Sequence, residues 1–172
     1  MALTKVRGDG VQGMSLLSTS TALTLDANGH VTKPLQSAFL VRPSIQQANI
    51  QNAETIVFGT ETFDQNGDFS SNTFTAPVTG RYQFNINMRI DNLSITGAWN
   101  RIEFVTSNTT YVTTMLDAAK AFSESPGEFA MHGIVLADMD ANDTAFLRWS
   151  QSGGSSTADI ETDCMFSGYL VA

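Results

Sequence analysis

Residues 81–90 constrain the fold of this chain more than any other segment, because they alternate without interruption. Every second residue is apolar, and the apolar set is Tyr82, Phe84, Ile86, Met88 and Ile90. The residues between them are polar or charged. Successive side chains of a β-strand point to opposite faces, so the segment predicts a strand with one face toward a core and one polar face.

The chain changes character at residue 38. From there to residue 172, short β-type runs are separated by Gly, Pro, Asn, Asp and Ser, with only a weak helical pattern at residues 116–122. This pattern of short strand-like runs and turn residues predicts an all-β domain. Residues 1–37 are too poor in aromatic and periodic apolar residues to form a core, but Leu23-Thr24-Leu25, a turn at residues 26–29 and His30-Val31-Thr32 predict a short hairpin. We therefore expect an extended N-terminal arm, 1–37, followed by one domain, 38–172.

Two strands are apolar on both faces. In residues 129–137, Phe129 and Met131 occupy one face while Ile134 and Leu136 occupy the other, and residues 165–172 repeat the pattern. A strand of a lone two-sheet sandwich normally has a solvated outer face. Only 15% of the 172 residues are charged, which also favours surface hidden between subunits. Self-association is the prediction, and scattered exposed apolar residues are the alternative.

Several motifs resemble a known family at this point. They are the run Ala38-Phe39-Leu40-Val41, residues 63–69, the run from Phe74-Thr75-Ala76-Pro77 through Gly80-Arg81-Tyr82, and Phe166-Ser167-Gly168-Tyr169-Leu170. Together they are similar to the globular heads of complement component 1q, which share a jelly roll with tumour necrosis factor. The resemblance implies a ten-stranded jelly-roll β-sandwich that assembles as a homotrimer, with the strands at Phe39, Tyr82, Phe129 and Phe166 in one sheet around the threefold axis.

The resemblance and the two-sided strands together give a set of expected interface residues. The expected trimer-interface residues are Phe39, Phe129, Met131, Ile134, Leu136, Met165, Phe166, Tyr169 and Val171.

The N-terminal segment is similar to the openings of tailed-phage fibre proteins. The similarity covers residues 1–10 and 23–32. It implies a virion structural protein, a head or tail fibre assembled in the host cytoplasm, whose arm docks on other virion proteins through Leu3, Val6, Val11 and Leu16. The C-terminal knob would then face the host cell and bind a surface glycan or protein. The alternative is a freestanding trimeric, lectin-like ligand-binding protein.

Catalysis is not expected. His30 and His132 are the only histidines, neither has a neighbouring nucleophile pattern, and His132 is expected to be an interior hydrogen-bonded residue. Catalytic groups gathered across a subunit interface are the remaining route to an enzyme. No cofactor is expected, and no metal site, although Asp64, Asp68, Asp138 and Asp140 would be the carboxylates available to calcium at a trimer apex.

The net charge of the chain and its apolar stretches limit the classes of partner that it could bind. A net charge of −8 without a basic cluster disfavours nucleic acid, and no apolar stretch is long enough for membrane insertion. We expect Cys164 to be a small buried residue. Trp99 is expected in the core, although Trp99 and Tyr111 would suit a sugar ring if they were exposed.

Overall fold

The computed structural model describes residues 23–172. Contacts divide the chain into two units between Leu35 and Gln36. The first unit contains a hairpin in which β1 (Thr24–Leu25) pairs antiparallel with β2 (Val31–Thr32). The Asp26 carboxylate accepts hydrogen bonds from the backbone N–H groups of Asn28 and His30 and contacts the His30 ring at 2.8 Å. Gly29 supplies the left-handed turn residue (φ 87°) between the two strands.

The second unit is almost entirely β-structure, as the sequence predicts. Its strands are β3 (Ala38–Arg42), β4 (Glu54–Thr55), β5 (Thr60–Asp64), β6 (Phe69–Ser70), β7 (Thr73–Thr75), β8 (Gly80–Asp91), β9 (Gly97–Thr106), β10 (Thr110–Leu116), β11 (Glu128–Met139), β12 (Thr144–Gly153), β13 (Asp159–Ile160) and β14 (Met165–Leu170). The weak helical pattern at residues 116–122 corresponds to a single turn, α1 (Ala118–Ala121), capped by the Asp117 side chain. No helix within residues 23–172 is long and apolar enough to cross a membrane.

The strands form two antiparallel sheets that face each other. Sheet I has the order β11-β8-β14-β3-β5, and sheet II has the order β10-β9-β12-β7-β6. The short strands β13 and β4 pair with β8 and β12, outside these two rows of five. The predicted ten-stranded jelly-roll sandwich is therefore confirmed, with two short additional strands. The four strands expected to share a sheet, at Phe39, Tyr82, Phe129 and Phe166, all lie in sheet I.

Aromatic rings fill the space between the sheets. The apolar residues of β8 that the alternation assigned to a core are all buried there: Tyr82, Phe84, Ile86, Met88 and Ile90. Phe39 stacks on Phe74 with 5.2 Å between ring centroids, and Phe84 lies 4.6 Å from Phe104. Burying a ring of this size stabilises the fold by about 1.5–3 kcal/mol.

Three of the expected interface residues belong to this core instead, and a fourth, Phe129, packs against it. Phe39, Met131 and Phe166 are no more than 1% exposed within a single chain. Phe129 is half-buried on the same side of β11 as Met131, with its ring edge-on to Phe122 at 5.5 Å. The prediction was wrong for Phe39, Met131 and Phe166, which occupy the inward parity of their strands and are buried within a single chain. The place of Phe129 at an interface stays a prediction.

Cys164 is fully buried, as expected. Its thiol donates to the backbone carbonyl of Arg89 at 3.3 Å and accepts from the N–H of the same residue at 3.2 Å. Burial raises the pKa of Cys164 to about 11. The thiol is consequently protonated at neutral pH and acts as a packing residue.

Candidate subunit interface

The face of sheet I that points away from sheet II carries rows of side chains fixed by strand register. Ile134 pairs with Asn85, Asn85 with Ser167, Ser167 with Leu40, and Leu40 with Phe63. This single row therefore crosses all five strands of the sheet. Residues directly opposite each other in adjacent strands share a face, so the five side chains lie on the same surface.

Two neighbouring rows repeat the arrangement. One consists of Leu136, Gln83, Tyr169 and Ala38, and the other of His132, Asn87 and Met165. Read along the strands, these rows form columns of side chains, two of them apolar. We call Ile134 and Leu136 of β11 the first apolar column. The second apolar column consists of Met165 and Tyr169 of β14 together with Leu40 of β3 and Phe63 of β5.

The apolar columns are exposed in the isolated chain. Ile134 is 73% exposed, Leu136 59% and Phe63 49%. Tyr169, Met165 and the nearby Val171 are also exposed. A groove of about 620 Å³ runs along this face, lined in part by Ile134, Met165 and Leu40. Large exposed apolar patches are uncommon on monomeric proteins and are typical of surfaces that contact another molecule.

Between the two apolar columns runs an amide column on β8, formed by Gln83, Asn85 and Asn87. All three side chains are half-buried. Gln83 Nε2 donates to Asn85 Oδ1 at 3.2 Å, and Asn85 Nδ2 donates to Ser167 Oγ at 3.4 Å. The column leaves further donors and acceptors at the surface, so a partner on this face must offer polar groups or trapped water in its centre.

Charged residues close both ends of the columns. At one end the guanidinium of Arg89 lies 2.9 Å from Asp91, 2.8 Å from Glu128 and 3.5 Å from Asp163. The hydrogen bond with Asp91 raises the pKa of Arg89 further, and a second hollow of about 380 Å³ lies beside these groups. At the other end Arg81 is 3.8 Å from Asp138. The apolar columns thus have a charged, exposed rim, as protein interfaces usually do.

The structure brings five of the expected interface residues together on this face. Ile134, Leu136, Met165, Tyr169 and Val171 all occupy the outward parity of β11, β14 and the residues after β14. Leu40 and Phe63 join them, although the sequence reasoning missed both. The signal for Leu40 was present, since Ala38-Phe39-Leu40-Val41 is apolar at both parities; Phe63 became recognisable only through its register with Leu40.

Two further expectations are corrected. His132 is exposed on the outward side of β11, because the core at that strand is filled by the residues of opposite parity. Trp99 is half-buried on the outward side of β9, under the guanidinium of Arg101 at 4.1 Å, whereas the core tryptophan is Trp149. Tyr111, in contrast, packs against the core beside Phe104.

Three of the four carboxylates considered for calcium have structural partners. Asp64 accepts hydrogen bonds from the N–H groups of Asp68 and Phe69, Asp138 lies near Arg81, and the Thr79 hydroxyl donates to Asp140 at 3.4 Å. The part of the chain that the structure describes holds no group of three or more His, Cys, Asp or Glu residues arranged for a metal ion. The proposed docking residues Leu3, Val6, Val11 and Leu16 lie outside the described residues.

Comparisons with known proteins agree with the fold. Residues 38–171 match the family described as the C1q domain. The comparison with curated proteins finds no match. Among solved structures, the globular domain of zebrafish complement 1qA protein is similar with a TM-score of 0.57 and 15% identity, over 79% of this chain and 98% of that chain. Murine APRIL at pH 8.5 is similar with a TM-score of 0.55 and 4% identity, over 79% of this chain and 99% of that chain. These likenesses support the jelly-roll fold, and the match over residues 38–171 shows that the chain belongs to the C1q domain family.

Proposed function

We propose that this chain is the subunit of a homotrimeric binding protein whose copies meet through the outward face of sheet I. The observation that carries the proposal is the pair of exposed apolar columns on that face. Ile134 and Leu136, on β11, are the most exposed members. A strand that is apolar on both sides is typical of one covered twice, once by its own sandwich and once by a neighbour.

The energetics favour association through these columns. Each large apolar side chain that becomes fully buried contributes about 1.5–3 kcal/mol. The two columns together supply six such side chains per subunit, partly exposed at the start. A threefold ring needs a heterologous contact, in which two different patches meet. The first and second apolar columns, separated by the amide column, provide two such patches on one subunit.

Beyond this, we propose that the trimer is a virion structural protein of a tailed phage, a short head or tail fibre. The N-terminal resemblance to phage fibre proteins supports that role, with Leu3, Val6, Val11 and Leu16 docking on the particle and the C1q-type knob facing the host surface. A freestanding ligand-binding trimer is the second candidate, favoured by the family of residues 38–171. In both cases we propose a binding protein and not an enzyme.

The trimer is tested by light scattering on the purified full chain. We expect a mass three times the 18.6 kDa of one chain, independent of protein concentration in the micromolar range. A folded monomer at these concentrations contradicts the proposal.

The virion role is tested separately, on particles. Deleting residues 1–35 removes the arm and leaves the second unit complete. A fibre lacking the arm should remain trimeric but disappear from purified particles, whereas the full chain should be labelled on particles by an antibody against the knob. A full chain that never co-purifies with particles points to the freestanding ligand-binding trimer.

A further inference from the structure

The outward face of sheet II carries a charged cluster quite unlike the face of sheet I. Glu103 of β9 pairs directly with Arg148 of β12, and Arg101 lies two residues before Glu103 on the same face. Trp99 comes two residues before Arg101. On the other side of β9, strand β10 places Val112 opposite Glu103 and Met115 opposite Arg101. We call these six residues the guanidinium patch.

The guanidinium patch has more cations than carboxylates, which distinguishes it from the other ion pairs in the described chain. Arg81 has Asp138, Lys120 has Asp117, and Arg89 has three carboxylates around it. Arg101 and Arg148 share a single carboxylate, Glu103. A local surplus of positive charge therefore occurs in a protein whose net charge is −8.

The two guanidinium groups are held in place. The Glu103 side chain is only 2% exposed, accepts from Arg148 Nε at 2.7 Å, and is also paired with Arg101. Burial acts to raise the pKa of Glu103, but hydrogen bonds from Arg148 and Ser150 and the two adjacent positive charges outweigh it and lower the pKa. The carboxylate is ionised at neutral pH, and it fixes both arginines before any ligand arrives.

The guanidinium groups still have donors to offer. Arg101 and Arg148 are 29% and 31% exposed, so part of each side chain faces solvent, while Arg101 Nε is buried without a hydrogen-bond partner. A guanidinium has five N–H donors in a planar fork that matches the two oxygens of a carboxylate. The patch is therefore prepared to accept one further anionic group.

The surroundings of the patch favour a sugar as the carrier of that group. Trp99 lies beneath Arg101 with its ring half-buried, while Val112 and Met115 are 48% and 60% exposed at the other margin. Thr55, which is half-buried and pairs with Arg148, supplies a hydroxyl group beside the patch. Apolar and aromatic surface suits the C–H faces of a pyranose ring, and hydroxyl groups suit its O–H groups.

We propose that the guanidinium patch binds a carboxylate-bearing saccharide, such as a hexuronate unit of a cell-surface polysaccharide. The inference rests on the ligand-binding role proposed above and names the ligand class. It does not depend on the contact between subunits, because the patch lies on the opposite sheet. The acid group contacts Arg101 and Arg148, and the ring lies against the apolar margin.

The experiment is titration calorimetry on the full chain with two matched probes. One probe is a tetrasaccharide of hexuronic acid, and the other is the same tetrasaccharide with its carboxyl groups reduced to alcohols. We expect binding of the first and at least tenfold weaker binding of the second. Arg101→Gln should weaken binding of the acidic probe about tenfold, since one charge-assisted fork is lost.

Two further variants separate a binding role from a structural one. Arg101→Lys keeps the charge but loses the planar fork, so its affinity should lie between those of the wild type and Arg101→Gln. Lys120→Gln removes the same charge from a different ion pair and should bind as the wild type does. Arg101→Gln leaves Glu103 paired with Arg148, so the fold is retained, and thermal unfolding of each variant checks this.

Three results would overturn the inference. They are no binding of the hexuronate probe at millimolar concentration, equal binding by Arg101→Gln and Lys120→Gln, and binding of an oligoglutamate peptide but not of the saccharide. Light scattering on the same samples reports the oligomer independently. A trimer that binds no saccharide contradicts this inference alone, and a saccharide-binding monomer contradicts only the subunit contact proposed earlier.

Discussion

Sheets I and II are similar on their inward faces and differ on their outward faces. Both bury alternate apolar residues in one shared core. On the outside, sheet I exposes Ile134 and Leu136 beside a column of amides, whereas sheet II exposes Arg101 and Arg148 around a buried carboxylate. The inward alternation defines the sandwich, and the outward residues define what each side of it can contact.

The difference has an energetic consequence for assembly. Covering the outward face of sheet I removes apolar surface from water, which stabilises an assembly. Covering the guanidinium patch with a second copy would strip water from charges that have too few partners, which costs several kcal/mol per ion. One sheet therefore suits a copy of the same chain, and the other suits solvent or an anionic ligand.

The largest expected effect comes from breaking the core that both sheets share. Phe166→Ala removes a fully buried ring that touches Phe39 and Phe58. We expect the free energy of unfolding to fall by about 3–5 kcal/mol, measured by urea denaturation at fixed protein concentration.

The matched control is Tyr169→Ala, three residues further along the same strand but on the outward side. It should lower trimer stability with a smaller change in the unfolding of the monomer. Equal losses for the two variants would mean that Phe166 lies in the contact between subunits, as the sequence first suggested.

The next effect tests whether the two outward faces differ as proposed. Ile134→Asp places a charge in the first apolar column and should raise the dissociation constant of the trimer more than about a hundredfold, close to 3 kcal/mol. Analytical ultracentrifugation measures this change.

Val112→Asp is the control on sheet II, where Val112 is 48% exposed. The trimer mass should not change in this variant. If Val112→Asp dissociates the trimer and Ile134→Asp does not, the two faces have been assigned the wrong way round.

A smaller effect is expected from Glu103→Gln. The amide retains a hydrogen-bond acceptor but leaves the charges of Arg101 and Arg148 without a carboxylate between them. The free energy of unfolding at pH 7 should fall by about 1–2 kcal/mol, measured by urea denaturation. An unchanged or increased stability would show that Glu103 does not hold the patch together.

The pH dependence of that loss has a defined sign. The pKa of Glu103 in the folded chain lies below its ordinary value of 4.5, so its contribution is complete above about pH 4.5 and disappears as the pH falls through the folded pKa. The difference between the wild type and Glu103→Gln should therefore be constant from pH 7 to 5 and shrink below that. A difference that grows on acidification would contradict the assignment.

The sequence predicted the fold well because β-strand periodicity is a local property. The strict alternation of β8 located the core residues on that strand, and the apolar residues at both parities of β11 and β14 located a second covered face. The pattern of β11 and β14 did not show which of the two sets of alternate residues points toward the core. For Phe166 and Met165 that choice depends on how two sheets stack, so the inward residues were assigned to the interface together with the outward ones.

The guanidinium patch could not be predicted from the sequence for a related reason. Arg101 and Glu103 are near in sequence, but Arg148 is 45 positions away from Glu103 and meets it only through strand register. Register shifts between Val112 and Thr114 and between Ser152 and Gly153 further obscure which side chains share that face. Trp99 was expected in the core for the same reason, since a tryptophan on an outward parity is recognised only when the neighbouring strands are known.

Cys164 is the chain's single cysteine, and its burial and raised pKa lower its reactivity toward thiol reagents. A cysteine introduced on any exposed position would be the one site that takes a fluorophore or spin label. Subunit exchange and distances between copies can thus be followed in the otherwise native sequence, without first replacing a residue of the core.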